Sequence, residues 1–448
     1  MKRTVFARAI FWPIAFTLVL ALVPAKAGAQ GSGPLRMRIT GTSGELPTVA
    51  VSGLKNLGGD DNHGIGNAFV DTLRRDLELS GYFRLVDPHA YIEDPQSSGF
   101  ELGQFNFADW RSINADFLVK GSVNGSGNGV KLTAYFYDVA SQRRMMGKNF
   151  SGDAGDVPRM ARRFADAILE AATGQKGPFD SKLAFVSTRG GRAKEVYTQT
   201  IDGQDLYKLT GNPTINLFPS FDRSARHVLY LSYKSFEPAL YLADLKAQRE
   251  EKITSSHGRI IGGTLSPDGE QIVGSVERGG TTNLYLFTRD GAEVRQLTDT
   301  TGINVSPAIS PNGSTLAFTS DRSGTPQIYL MSLSGGSPKR VTYSGDYNTT
   351  PAFSPKGDVL AYQSRNNGRF DIFTIPVGGG DPTQITDGNG SNEYPSWSPD
   401  GRYIAFSSTR SHESRVYILM VSNRKIISAL TEGNGNDSCP AWSDWLGE

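Results

Sequence analysis

Three landmarks recur with one spacing of 44 residues from about residue 181 onward. An aromatic stands at Tyr197, Tyr241, Tyr285, Tyr329, Phe373 and Tyr417. A threonine closing a Leu/Ile/Val-Thr pair stands at Thr210, Thr254, Thr298, Thr342, Thr386 and, after a one-residue slip, Thr431. A tight corner follows at Phe221-Asp222, Leu265-Ser266, Ile309-Ser310, Phe353-Ser354, Trp397-Ser398 and Trp442-Ser443. A period of roughly 40–45 residues, long enough for four short strands, is the mark of a β-propeller blade.

The fourth unit shows how a blade is written. Residues Pro307–Ser310, Leu316–Ser320, Gln327–Met331 and Lys339–Thr342 read as strands, joined by Pro311-Asn312-Gly313 and Gly335-Gly336. Proline fixes φ and glycine supplies positive φ, as tight hairpins require. The first unit starts at its second strand, Leu183–Ser187, and the chain ends with a surplus inner strand, Pro440–Ser443. The economical reading is a six-bladed β-propeller closed by the C-terminal strand, a closure that hides strand edges.

The first residues read as an export signal over 1–29. Lys2, Arg3 and Arg8 precede an apolar run over Ala9–Val23, interrupted by Pro13, and Ala27-Gly28-Ala29 forms a small-residue cleavage site. The run is shorter than the ~20 residues of a spanning helix. A mature, exported and soluble protein from Gln30 is expected. The net charge of +1 gives no electrostatic case for nucleic acid or a membrane surface. With Cys439 as the sole cysteine no internal disulfide can form, and a buried, inert thiol is expected there.

Residues 30–173 have another texture, that of a small α+β domain with a mixed sheet and two helices. Strands are expected at 35–39, 48–53, 83–86, 116–123, 130–139 and 143–150. Ile65, Phe69, Leu73 and Leu77, four apart, predict a helix over 64–80 that Gly81 ends. A second helix is expected after Asp156 as N-cap, with Pro158 in its first turn and Gly174 as its stop. Residues 174–180 are a short linker, and the propeller occupies 181–448.

No catalytic constellation emerges, so the chain does not read as an enzyme. There is no G-x-S-x-G elbow and no phosphate-binding loop, and the glycines of 121–129 read as a hairpin turn. The histidines His63, His89, His227, His257 and His412 lack metal-ligand spacing and read as surface or loop residues. Asp268 and Asp400 suggest calcium, but Asn312 and Lys356 take the same corner position, so turn formation is the better reading; neither metal nor cofactor is expected. Arg189, Arg278, Arg322, Arg365 and Arg410 recur after the second strand and read as contacts between neighbouring blades. What remains is a surface: the loops leading into each inner strand gather at one mouth of the channel, with Asn304, Asn348 and Asn392 at equivalent positions. Rigid scaffolds place function in such loops. Turn geometry is an equally good reading of these asparagines.

The cleaved signal, the stretch Leu79-Ser80-Gly81-Tyr82-Phe83-Arg84, the junction from Thr173-Gly174 to Phe185-Val186-Ser187 and six repeats, four of them with S-P-x-G at the corner, together resemble the TolB family. The resemblance runs from about Leu35 to the end. It implies a non-enzymatic, monomeric periplasmic adaptor of the Tol–Pal system that serves outer-membrane integrity and constriction during cell division. It further implies that the propeller mouth binds the lipoprotein Pal, through Asn216, Leu217, Arg259, Ile260, Ile261, Asn304, Val305, Asn348, Thr349, Asn392, Glu393, Asp437 and Ser438. The mature N-terminus, with Leu35, Arg36, Met37, Arg38, Ile39 and Thr40, would engage TolA; other Tol or outer-membrane proteins would be further partners. Arg259-Ile260-Ile261-Gly262-Gly263 departs from the histidine-asparagine-glycine-alanine-proline stretch of many relatives. The competing reading is a propeller that binds a small ligand or peptide in its channel, as an inactive peptidase relative.

Overall fold

The computed structural model describes residues 45–58, 62–126, 128–255 and 258–447. The expected export signal, the strand at 35–39 and the segment Leu35–Thr40 lie outside the described residues. No described helix is long and apolar enough to cross a membrane.

The N-terminal domain is built on strands β1 (Thr48–Val51), β2 (Lys55–Asn56), β3 (Arg84–Leu85), β4 (Phe117–Ser126), β5 (Gly129–Asp138) and β6 (Arg143–Asp153). Their order is β3-β1-β4-β5-β6, with β2 also paired to β4. The β1 pairings to β3 and β4 are parallel, whereas β4, β5 and β6 form an antiparallel meander. Helices α1 (Asn62–Leu79) and α3 (Val157–Thr173) bury Phe69, Leu73, Leu77, Phe164 and Ile168 in a common core. Gly81 (φ 65°) and Gly174 (φ 79°) stop them in the left-handed conformation. Asp156 precedes α3 as expected, but its carboxylate accepts from the Asp153 amide (3.0 Å) and does not cap its own helix. Gly121 and Gly125, expected in a turn, lie within β4.

The structure adds a short helix, α2 (Phe107–Ser112), capped by Asn106, whose side chain accepts from the Ala108 amide. It carries Phe107 and Trp110 into a second core with Leu118 and Tyr137.

Six four-stranded antiparallel sheets follow. Blade 1 combines Ser181–Ser187, Glu195–Thr200 and Tyr207–Lys208 with the C-terminal strand Asp437–Trp445. Trp442 seals the junction, its indole N–H donating to Ser181 Oγ at 2.9 Å. The inner strands of blades 2 to 6 are Asn216–Phe221, Arg259–Leu265, Asn304–Ile309, Asn348–Phe353 and Asn392–Trp397. The repeated aromatic of the third strand packs across the sheet on an aromatic of the second, as in Phe185–Tyr197 (6.0 Å), Phe318–Tyr329 (6.0 Å) and Tyr362–Phe373 (5.9 Å).

The two domains share one core: Leu183, Phe185, Tyr403 and Trp442 pack with the α1 and α3 residues. Tyr403 donates to the Ser80 carbonyl (2.7 Å) and Trp445 to the Gly177 carbonyl (2.8 Å). Arg402 donates to Thr173 Oγ1 and the Lys176 carbonyl. The 174–180 connection is therefore clamped from both sides.

Candidate functional site

The recurring threonines and asparagines belong to one repeated latch. Thr298 Oγ1 accepts from the Leu284 amide and donates to Asn283 Oδ1 (3.0 Å), at the start of the third strand of blade 3. The same oxygen accepts from Asn304 Nδ2 (3.2 Å), the first residue of the inner strand of blade 4. Thr210–Glu195–Asn216, Thr342–Gln327–Asn348 and Thr386–Asp371–Asn392 repeat it between other blades. Between blades 6 and 1 the polarity is reversed, with Arg415 3.9 Å from Asp437. Between blades 2 and 3 Ala239 and Ile260 take the two places, and both are buried and apolar.

Two residues further along from the latch partner, the backbone turns sharply. Phe218, Ser306, Thr350, Tyr394 and Cys439 occupy the left-handed region (φ 53°, 51°, 51°, 56° and 51°). Each lies in a register shift of its inner strand. Pro219, Pro307, Pro351, Pro395 and Pro440 follow directly. Such φ values cost of order 1–3 kcal/mol for a residue with a Cβ, and more readily mark function than folding. Blade 3 departs again, with Gly262-Gly263 in place of this pair.

These inner strands enclose a channel cavity of 960 Å³. Phe218, Ile261, Val305, Thr349 and Tyr394 line it near the latch end. At the opposite end Arg223 reaches across, donating to the Pro311 carbonyl (2.8 Å) and lying 3.6 Å from Asp444. Burial raises the Tyr394 phenol and pushes the Cys439 thiol up to about 11, so the thiol stays protonated at neutral pH.

Of the residues that the resemblance assigned to Pal, Asn216, Asn304, Asn348 and Asn392 are 0% exposed and bonded within the ring. Asp437 and Ile260 are equally buried, and Thr349 nearly so. Leu217, Ile261, Val305, Glu393 and Ser438, their chain neighbours, are half-buried. Arg259 is exposed and ion-paired to Glu277 (2.6 Å). The asparagines thus serve as framework of the latch-end mouth.

Other expectations need correction. The recurring arginines act mainly within one blade: Arg322 donates to Asn304 Oδ1 (2.7 Å), Arg410 to Asn392 Oδ1 (3.0 Å) and Arg189 to Asp437, while Arg410 alone also reaches Asp387 (3.2 Å) after the outer strand of blade 5. Arg365 stands one place early, stacks on Tyr347 and leaves Asn348 Oδ1 unpartnered among the described residues. Arg278 lies in the same blade as Ile260, whose side chain offers it no acceptor, and is exposed. His227 is not a surface residue: it is buried, 2.7 Å from Asp222 and 3.6 Å from Asp244. Asp268 and Asp400 accept from Ser266 and Ser398 within their turns. Among the described residues no group of three or more His, Cys, Asp or Glu is arranged to hold a metal. The left-handed ring is marked in the sequence only by prolines that follow the same period.

Curated relatives agree in part of their length. A Tol-Pal system protein TolB from Desulfosudis oleivorans is 35% identical over 227 residues, 51% of each chain. Another, from Geobacter metallireducens, is 37% identical over 215 residues, 48% of each. The chain thus spans about half the length of the curated relatives it matches. The crystal structure of TolB from Acinetobacter baumannii has the same fold, with a TM-score of 0.76 at 24% identity over 89% of this chain and 97% of that one. Family models for the TolB amino-terminal domain and the TolB beta propeller domain match residues 35–145 and 169–446. With both domains matched in order, the chain belongs to the TolB family.

Proposed function

We propose that this chain is a non-enzymatic periplasmic adaptor of the Tol–Pal system, holding Pal on the latch-end mouth of its propeller and TolA through residues Leu35–Thr40. The observation that carries the reading is the ring of five left-handed, proline-backed residues around that mouth. A latched ring presents its rim without ordering on binding, so less of the contact energy is lost to entropy. The two contacts would serve outer-membrane integrity and constriction during division. If Pal and TolA binding are linked, each must change the other's affinity by the same factor. The contact between α3 and the propeller, clamped by Arg402, is the element through which such linkage would pass.

Calorimetric titration of the protein, from Gln30 onward, with the soluble domain of Pal from the same organism tests the reading. Saturable one-to-one binding is expected; no binding to a folded partner would contradict it.

One observation favours a second reading. Ser275 Oγ and Thr350 Oγ1 line the channel and have no hydrogen-bond partner among the described residues. A 960 Å³ cavity is of ligand size. A thermal-shift screen with short peptides and metabolites would detect an occupant by a rise in melting temperature; a flat response across the panel would remove this reading.

A further inference from the structure

The tips of the hairpins between second and third strands reach the latch-end mouth, and in three blades a glycine occupies the same left-handed position. Gly280, Gly324 and Gly368 have φ 85°, 101° and 79°, and a Cβ added there would meet no atom within 4 Å. The equivalent residue of blade 2 is Phe236, with φ 68° and its side chain fully exposed (100%). Folding gains nothing from this choice. A Cβ at positive φ is strained, and a bare aromatic ring on water forgoes the burial that normally stabilises it.

Phe236 is not isolated. Its amide donates to the Tyr233 carbonyl, and the Tyr233 amide donates to the Ile215 carbonyl (3.1 Å). Tyr233 and Ile215 are themselves exposed (36% and 45%). Ile215 directly precedes the latch residue Asn216 and the rim residues Leu217 and Phe218, so the patch is continuous with the mouth. The flanking cations are neutralised locally: Lys234 pairs with Glu250 and Arg259 with Glu277. In the two blades that precede blade 2 around the ring, the positions equivalent to Ile215 are polar, Ser391 and Asn436. The apolar patch is therefore bordered by polar rim positions on that side.

We propose that Phe236, backed by Tyr233 and Ile215, is the apolar anchor of the mouth, and that the soluble domain of Pal receives its ring in an apolar recess. This rests on the Pal reading above and deepens it. A protruding aromatic framed by paired charges has the make-up of an interface hot spot, and the local neutrality argues against a phosphate-rich partner. The polar side of the rim orients the partner, and the anchor retains it.

The test replaces Phe236 by the residue its sibling blades use. Phe236→Gly is expected to weaken Pal binding by about tenfold or more, through faster dissociation, while the melting temperature stays equal or rises. Val294→Ala, which removes another exposed apolar side chain from an outer strand, is expected to leave binding unchanged. Unchanged affinity of Phe236→Gly for Pal would overturn the anchor and leave the Pal reading standing. A clear fall in melting temperature would overturn it in favour of a structural role. Loss of a concentration-dependent dimer in sedimentation, with Pal binding intact, would overturn it in favour of self-association. No binding by the parent protein would remove both readings together.

Discussion

Asn304 joins two blades: its amide nitrogen donates to Asn283 Oδ1 at 3.2 Å in blade 3, and its oxygen accepts from Arg322 at 2.7 Å in blade 4. Both neighbours are held by other bonds, so the side chain has no freedom to reach a partner protein. Removing it strands buried polar groups, and that is what costs stability. Asn304→Ala is expected to destabilise the propeller by about 1–3 kcal/mol, read by chemical denaturation. A change of Pal affinity with unchanged stability would show instead that Asn304 acts at the surface.

Blade 3 offers a test of the latch by addition. Ile260 and Ala239 occupy the two latch positions there, and both are buried. Ile260→Asn is expected to destabilise, because it buries an amide opposite a side chain without polar atoms. Adding Ala239→Gln supplies the oxygen that Gln327 supplies to Asn348, so the double variant should be more stable than Ile260→Asn alone. A double-mutant cycle in urea measures this coupling.

Ring closure gives a third prediction. Residues Asp437–Trp445 form the inner strand of blade 1, and Trp442 and Trp445 bond to Ser181 and Gly177. Deleting residues 440–448 should cost far more than nine surface residues would. It opens an unpaired edge at Ser181–Ser187 and strips the core shared with α3. Loss of cooperative thermal unfolding, or aggregation at low temperature, is expected.

Stability should also fall as pH rises through neutrality. Burial pushes the Asp166 carboxyl up from its ordinary 3.8 to about 8, against the opposing amides of Phe179 and Asp180. Asp76, fully buried beside Asp202, is raised as well. A carboxyl with a raised value in the folded state binds more protons there than when unfolded. The stabilisation is complete below the ordinary carboxylate range and is lost as pH approaches 8, at about 1.4 kcal/mol per pH unit for each such group. Asp166→Asn should flatten the decline of melting temperature between pH 5 and 8; an unchanged slope would assign the decline elsewhere.

How much of this was legible in the sequence depends on the kind of signal. Blade number and closure were, because every blade repeats its residue types and Pro440–Ser443 has no other sheet to join. The helix stops at Gly81 and Gly174 were legible from residue type. Helix α2 was not: six residues carry too little periodicity, and Trp110 and Phe107 act only against the reverse face of the sheet. The latch was half legible. Asn304, Asn348 and Asn392 were visible as a series, yet only the fold shows that they are joined to Asn283, Gln327 and Asp371, 21 residues earlier in each case. The left-handed conformation of Phe218, Thr350 and Tyr394 has no residue-type signal at all, since none is a residue that favours it. The prolines after them mark the place without naming the geometry.

Everything proposed for this protein turns on the latch-end mouth as the docking face. Hydrogen–deuterium exchange of the protein alone and with the soluble domain of Pal tests it most directly. Added protection is expected at 215–218, 233–237, 303–306, 347–350, 391–394 and 436–439, with the outer strands unchanged. Protection confined to the outer strands, the Arg223 end of the channel or the N-terminal domain would contradict it.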